Sequence, residues 1–291
     1  MRSELSKEQI DSYREHGFLV IDDFLDVDEV EHLRTILADA VAARGEARIP
    51  SEMAQAAVGA RTGDEPGCGL PHTPEDRRRL IDAFSKHRRS WTRVLSQHVN
   101  LWQTDEKVRE FSLDPRLGRV ACEVADVDAI RMWHDQTMIK PAWGEPTGWH
   151  MDTPAFSFTH PGASTFWFAL ADADLRNGCM HYLPGSHKLR QDVKGNTRLD
   201  GLRLLHPDWQ FAEPVACPVK AGAMIVHNGY TAHAAGANMT PRPRPAYAIS
   251  WMPAGCTFNG TPNILPSEVL ENLKVGDPLD IDSQCPLVYS R

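Results

Sequence analysis

Trp149-His150-Met151-Asp152 sets an imidazole and a carboxylate two residues apart, and a second histidine, His233, follows 83 residues after His150 in an apolar segment. Alternate residues of a β-strand share a face, so His150 and Asp152 are expected to aim from one strand into one cavity. His233 would reach the same cavity from a distant strand. Two imidazoles and one carboxylate form the facial set that holds iron(II) and leaves positions open for a co-substrate and dioxygen. The chemistry this implies is metal-dependent oxygen activation. The same H-x-D spacing recurs at His206-Pro207-Asp208. There Pro207 removes a ladder donor, and too little chain precedes His233 for several strands to intervene. A bare H-x-D otherwise reads as a surface histidine beside a solvated aspartate, so the flanking sequence has to decide.

The elements that must position these groups fall into two halves. Ser6-Lys7-Glu8-Gln9 has the form of a capping box opening a helix to about His16, and Gly17-Phe18-Leu19-Val20-Ile21 reads as a buried strand. Asp26 caps a second helix with Val27, Val30, Leu33, Ile36, Leu37 and Val41 at helical spacing, ended by Gly45. Residues 46–72 lose all periodicity and are expected to form either a substrate-facing lid or a disordered insert. Thr73-Pro74-Glu75-Asp76 starts a long helix to about Leu95, and another is expected over Asp114 to Val124. Short apolar or alternating segments then take over. They are Ala129 to Ile139, His150 to Phe158, Ser164 to Ala171, Cys179 to Leu183, Pro214 to Val219, Ala223 to Val226, Thr231 to Ala234 and Pro245 to Trp251. Many short strands with regular turn signals indicate an antiparallel sandwich or barrel. The expectation is one domain over 1–291, mainly β with flanking α. It comprises a helical flank (1–127), a strand-rich core (128–253) and a C-terminal extension (254–291).

Composition excludes several classes. A formal charge of −8 argues against a nucleic-acid binder. The six cysteines show neither zinc-finger nor disulfide-framework spacing. The charged N-terminus has no apolar signal-peptide core, and no run of roughly 18 apolar residues occurs. A cytoplasmic enzyme with reduced thiols and a small-molecule substrate, monomeric or homodimeric, is expected.

Asn177-Gly178-Cys179-Met180, Leu183-Pro184-Gly185-Ser186-His187-Lys188, Ala221-Gly222-Ala223-Met224-Ile225-Val226-His227, then His233, Asn238 and Arg244 follow one another in that order. This series resembles the phytanoyl-CoA dioxygenase family of non-haem iron, 2-oxoglutarate-dependent oxygenases. The likeness runs from the opening helix to about Pro253, and 46–72 carries none of it. The resemblance implies a double-stranded β-helix core, that is, a cupin-like jelly roll. It implies iron(II) on His150, Asp152 and His233, with 2-oxoglutarate and dioxygen as co-substrates. Arg244 matches the arginine that clamps the distal carboxylate of 2-oxoglutarate, a role suited to a planar guanidinium; its neighbour Arg242 competes for it. Gln136, Lys140, Thr165 and Trp167 are implied as further co-substrate contacts. Lys140 could equally be a solvent-exposed strand end, and Trp167 plain core. His134, Phe158 and His227 are candidate substrate contacts or structural residues.

The implied reaction oxidises a C–H bond of a small organic molecule, with release of succinate and carbon dioxide. Halogenating relatives replace the acid ligand with a small residue, so Asp152 favours hydroxylation, desaturation or ring closure. Two other readings stay open. One is a hydrolase or isomerase using another metal on a similar barrel. The other is a non-catalytic binding module, whose signature, a missing ligand, is not present.

Overall fold

The computed structural model describes residues 4–44, 94–189, 209 and 211–291. Helix α1 (Lys7–His16) starts on the expected capping box, in which the Ser6 hydroxyl accepts from the Gln9 amide and the Gln9 side chain accepts from the Ser6 amide. It stops at Gly17, whose φ of +84° suits a residue without Cβ. A Cβ there would run into His187 and Thr231. Strand β1 (Phe18–Ile21) follows. Asp26 and Glu29 form a second reciprocal cap for α2 (Val27–Arg44), which buries Val30, Leu33, Ile36, Leu37 and Ala40. Val27 is exposed, so the buried stripe begins at Val30. Gly45, the loop 46–72, the helix expected from Thr73, and His206-Pro207-Asp208 lie outside the described residues.

Strand β2 (Ser96–Val99), a 3-10 turn at Leu101–Gln103 and α3 (Glu106–Ser112) were not anticipated from sequence; α4 (Pro115–Ala125) starts on the expected Asp114 cap. The strands that follow are β3 (Ala129–Ile139), β4 (Thr147–His150), β5 (Ser164–Ala169), β6 (Met180–Tyr182), β7 (Val215–Cys217), β8 (Met224–Asn228), β9 (His233–Ala235) and β10 (Ala246–Pro253). After a single turn of helix, α5 (Ser267–Leu270), the chain ends on β11 (Leu287–Ser290). They form two antiparallel sheets: a seven-stranded one ordered β1-β8-β5-β10-β3-β11 with β2 also on β3, and a four-stranded one ordered β4-β9-β6-β7. This is the jelly roll expected from the strand pattern.

Strand alternation separates two cores. Phe166, Phe168, Met224, Val226, Tyr247, Ile249 and Trp251 pack against Leu33, Ile36, Leu117 and Val120 of the helices. Trp167, Ala169, Ile225, Ala246 and Ala248 point the other way, toward Met180, Tyr182 and Ala235 of the smaller sheet. β3 obeys this rule with one switch. Ser250 pairs with His134 but Trp251 pairs with Met132, so Trp133 is an extra residue. A bulge of this kind changes which parity faces which side. Ile130 and Met132 therefore join the helix-side core, while His134, Gln136 and Met138 line the space between the sheets.

Two expectations are corrected. The segment His150 to Phe158 is not a strand: pairing ends at His150, and a 3-10 turn occupies Thr153–Ala155 with Pro154 inside it, where a missing amide is tolerated. The second concerns β11, a strand that the sequence reading did not place in the C-terminal extension. β11 pairs with β3, and Phe258, Leu265, Leu279 and Cys285 pack with Trp133, Phe156 and Phe158. Cys122, Cys179, Cys217, Cys256 and Cys285 are buried free thiols. Among the described residues, no helix is long and apolar enough to cross a membrane.

Candidate metal centre

Strand pairing brings the two histidines together. His150 stands directly opposite His233 in the β4–β9 ladder, with ring centroids 4.1 Å apart. Each ring is fixed by its own chain: His150 Nδ1 lies 2.9 Å from the Gly148 carbonyl, and His233 Nδ1 lies 2.9 Å from the Thr231 carbonyl. A carbonyl can only accept, so both Nδ1 atoms carry the proton and both Nε2 lone pairs face inward. Burial pulls each imidazole down to about 4, which keeps both rings neutral and able to ligate at physiological pH.

Asp152 arrives differently from the expectation of a shared strand face. Its backbone is helical (φ −79°, ψ −49°), and the amides of Asp152 and Thr153 both donate to the Gly229 carbonyl at 2.8 and 2.9 Å. Gly229 in turn donates to Ala163, and a Cβ on it would collide with Thr153. The turn thus swings the carboxylate back beside the rings. Asp152 Oδ1 lies 3.7 Å from His150 Nε2 and 3.6 Å from His233 Nε2. The three ligand atoms all fall within 4.8 Å of one another, a grouping that could hold one metal ion.

The floor under Asp152 is one row of cross-strand neighbours, His227–Thr165–Ser250–His134, running across β8, β5, β10 and β3. Thr165 Oγ1 donates to Asp152 Oδ2 at 2.9 Å, and His227 Nε2 lies 3.0 Å from the same oxygen. Burial alone would push the Asp152 carboxyl up. The imidazoles of His233, His227 and His150 and the His227 hydrogen bond override this, leaving it well below the usual carboxylate range. An ionised acid between neutral rings suits a divalent cation.

The same cavity, about 170 Å³, contains Arg244. Its side chain is 2 % exposed and its guanidinium lies 5.1 Å from the Trp167 ring centre. Arg244 Nε and Nη1 and Trp167 Nε1 are buried donors with no acceptor among the described residues. Burial pulls the guanidinium down to about 10, yet it remains charged at neutral pH. Buried donors are ordinarily satisfied, so this corner of the cavity fits an anionic, oxygen-rich ligand such as a carboxylate.

A family model described as Phytanoyl-CoA dioxygenase (PhyH) matches residues 13–246. The chain belongs to this family. An Arabidopsis thaliana phytanoyl-CoA dioxygenase is 24% identical over 252 residues, 84% of this chain and 88% of the relative. The crystal structure of the non-heme alpha ketoglutarate dependent carbocyclase SnoK from nogalamycin biosynthesis superposes with a TM-score of 0.72 at 26% identity, covering 98% of this chain and 96% of that one. The epimerase SnoN, in complex with Fe3+, alpha ketoglutarate and nogalamycin RO, gives 0.69 at 24% identity, covering 97% and 98%. Iron and 2-oxoglutarate are the cofactors of this phytanoyl-CoA dioxygenase family member, and the His150–Asp152–His233 grouping could hold the iron.

Within this family member the remaining candidates divide. Gln136 lines the cavity and accepts from Gln97 Nε2 at 3.0 Å. The Thr165 hydroxyl is committed to Asp152, and Trp167 lies against Arg244. Lys140 is neither exposed nor in the cavity wall. Its amine donates to the Glu145 carbonyl at 2.8 Å, and burial pulls it down to about 7. Phe158 is likewise absent from the wall and packs edge-on to Trp133 at 5.3 Å. His134 does line the cavity, 6 % exposed, with no partner for Nδ1 among the described residues. Arg242 is exposed, and its carbonyl accepts from Asn238, which also donates to Pro141 and so pins the loop leading to Arg244. Phe156, which sequence leaves as core or pocket wall, lines the cavity, and sequence reasoning missed Leu95, Gln97, Asn263 and Ile264. Asn263 has a positive φ of 44° and accepts from Trp133 Nε1. No sequence signal links it to the centre, of which His150 and Asp152 lie more than 100 residues before it.

Proposed function

We propose that this chain hydroxylates an unactivated C–H bond of a small, largely apolar organic substrate, using iron(II), 2-oxoglutarate and dioxygen and releasing succinate and carbon dioxide. The observation that carries this reading is the pairing, in one cavity, of the His150–Asp152–His233 grouping with a buried arginine that has no counter-ion among the described residues. Dioxygen would supply the oxidising power, activated at bound iron with 2-oxoglutarate as the co-reductant; the protein's part is placement and electrostatics. His150, Asp152 and His233 hold the metal through Nε2, Oδ1 and Nε2. Arg244 takes the distal carboxylate of 2-oxoglutarate, with Trp167 supporting its guanidinium face. Leu95, Val99, Met138, Phe156 and Ile264 give an apolar wall that excludes water and receives the substrate body, and His134, Gln136 and Asn263 orient its polar groups. Arg244 is the only basic side chain other than histidine in this wall among the described residues, so nothing there suits the phosphates of a coenzyme A ester.

The test is anaerobic addition of 2-oxoglutarate to the iron(II)-loaded protein, followed by succinate assays over a panel of small substrates. The expected results are a weak visible charge-transfer band and substrate-stimulated succinate. No band, and no succinate with any substrate, rejects the reading. Similarity to a carbocyclase supports ring closure as a second outcome at the same site. Product mass separates the two: hydroxylation adds one oxygen, whereas ring closure removes two hydrogens.

A further inference from the structure

Ligating the metal needs one oxygen of Asp152, and the protein has occupied the other. Oδ2 receives Thr165 Oγ1 at 2.9 Å and His227 Nε2 at 3.0 Å, while Oδ1 alone faces the two histidine Nε2 atoms. His227 is 1 % exposed and packs 4.4 Å from the His233 ring. Its far nitrogen, Nδ1, lies 3.1 Å from the hydroxyl of Tyr182, which is fully buried. The proton assignment follows from the two neighbours. A carboxylate oxygen accepts, so Nε2 of His227 carries the hydrogen; Nδ1 then accepts from the phenol. Tyr182 is itself held by Phe18 of β1, whose ring stacks on it at 4.6 Å and 11°. A chain of contacts therefore runs from the first strand to the metal-binding acid.

We propose that His227, fixed by Tyr182, is a positioning residue that holds Asp152 as a one-oxygen ligand. A carboxylate free to bind through both oxygens would take an additional coordination position, at the expense of a co-substrate. With Oδ2 committed to two donors, that second bond is blocked and Oδ1 is aimed. The inference rests on the iron-site reading and adds residues that reading does not require.

The experiment titrates cobalt(II), as a spectroscopic probe, into the metal-free wild type, His227→Phe, His227→Gln and Tyr182→Phe, with circular dichroism and melting temperature recorded for each. Loss of a hydrogen-bonded neighbour of a ligand typically weakens metal binding roughly 10–100-fold. That loss, with an altered visible spectrum, is expected for His227→Phe. His227→Gln, whose amide still donates, is expected to recover most of the affinity and the wild-type spectrum, and Tyr182→Phe to lose a smaller factor. Wild-type affinity and spectrum in His227→Phe would overturn the proposal. So would a Gln variant as weak as the Phe variant, because it would mark a role in packing alone. If His227→Phe does not fold, unchanged affinity in Tyr182→Phe overturns it instead. A wild type that binds no cobalt rejects the metal site itself, whereas tight wild-type binding with unaffected variants rejects only the positioning role.

Discussion

Replacing Arg244 with methionine should make the ligand-free protein more stable while removing most of its affinity for 2-oxoglutarate. The guanidinium is buried without an acid partner among the described residues, with Nε and Nη1 unsatisfied by them. Burial lowers its pKa to about 10; at ~1.4 kcal/mol per unit this is a penalty of roughly 3 kcal/mol on the charged form. Methionine fills similar space with no charge to desolvate. It loses the contact with Trp167, about 2 kcal/mol for a desolvated pair. The net gain is on the order of 1 kcal/mol, or about 2–4 °C in melting temperature for a chain of this size class. In the ligand-bound state the balance reverses. Hydrogen bonds to charged groups contribute about 1.5–3 kcal/mol each, so losing a bidentate pair costs at least ~3 kcal/mol, about a hundredfold in Kd. Thermal unfolding with and without 2-oxoglutarate, on manganese(II)-loaded protein, reads both effects. A variant that melts well below the wild type and still binds 2-oxoglutarate normally would refute the reasoning.

Asp152→Ala should abolish metal binding yet retain the fold, since the chain path depends on the Gly229 carbonyl and not on the carboxylate; isothermal titration with cobalt(II) checks this. Gly229→Ala should do more damage: its Cβ meets Thr153, so a destabilisation of ~1–3 kcal/mol is expected, together with weaker metal binding as Asp152 is displaced. His134, His150 and His233 are each held near 4 by burial, below the unfolded value of about 6.5. Between these values the unfolded chain binds more protons. Stability of the metal-free protein is therefore fully present above about pH 6.5 and falls as pH drops toward 4. A urea midpoint that stays flat through that window would contradict the burial of these rings.

Local signals carried the architecture well. The Ser6–Gln9 capping box, the Asp114 cap and the bounds of β3 are written in adjacent residues, and the structure follows them. What failed was register and edge structure. β11 is only four residues long, pairs on one side only and stays partly exposed, so the run Leu287-Val288-Tyr289 is too short to announce a strand by itself. The bulge at Trp133, which decides that His134 and Gln136 face the cavity, exists only in the pairing with β10. His150 and Asp152 were legible as a pair for a partly wrong reason. Strand alternation would have aligned them, whereas a turn containing Pro154 and anchored on Gly229 brings them together. The place of His227 depends on standing opposite Thr165 across β5 and β8, a relation that no local pattern encodes.

The most direct test is a crystal structure grown with manganese(II) and 2-oxoglutarate, with the metal located by its anomalous scattering. The expected result is a single peak bonded to Nε2 of His150, Oδ1 of Asp152 and Nε2 of His233, with the distal carboxylate of 2-oxoglutarate on the Arg244 guanidinium. A metal bound away from those three atoms, or a carboxylate seated elsewhere with Arg244 still unpartnered, would contradict it.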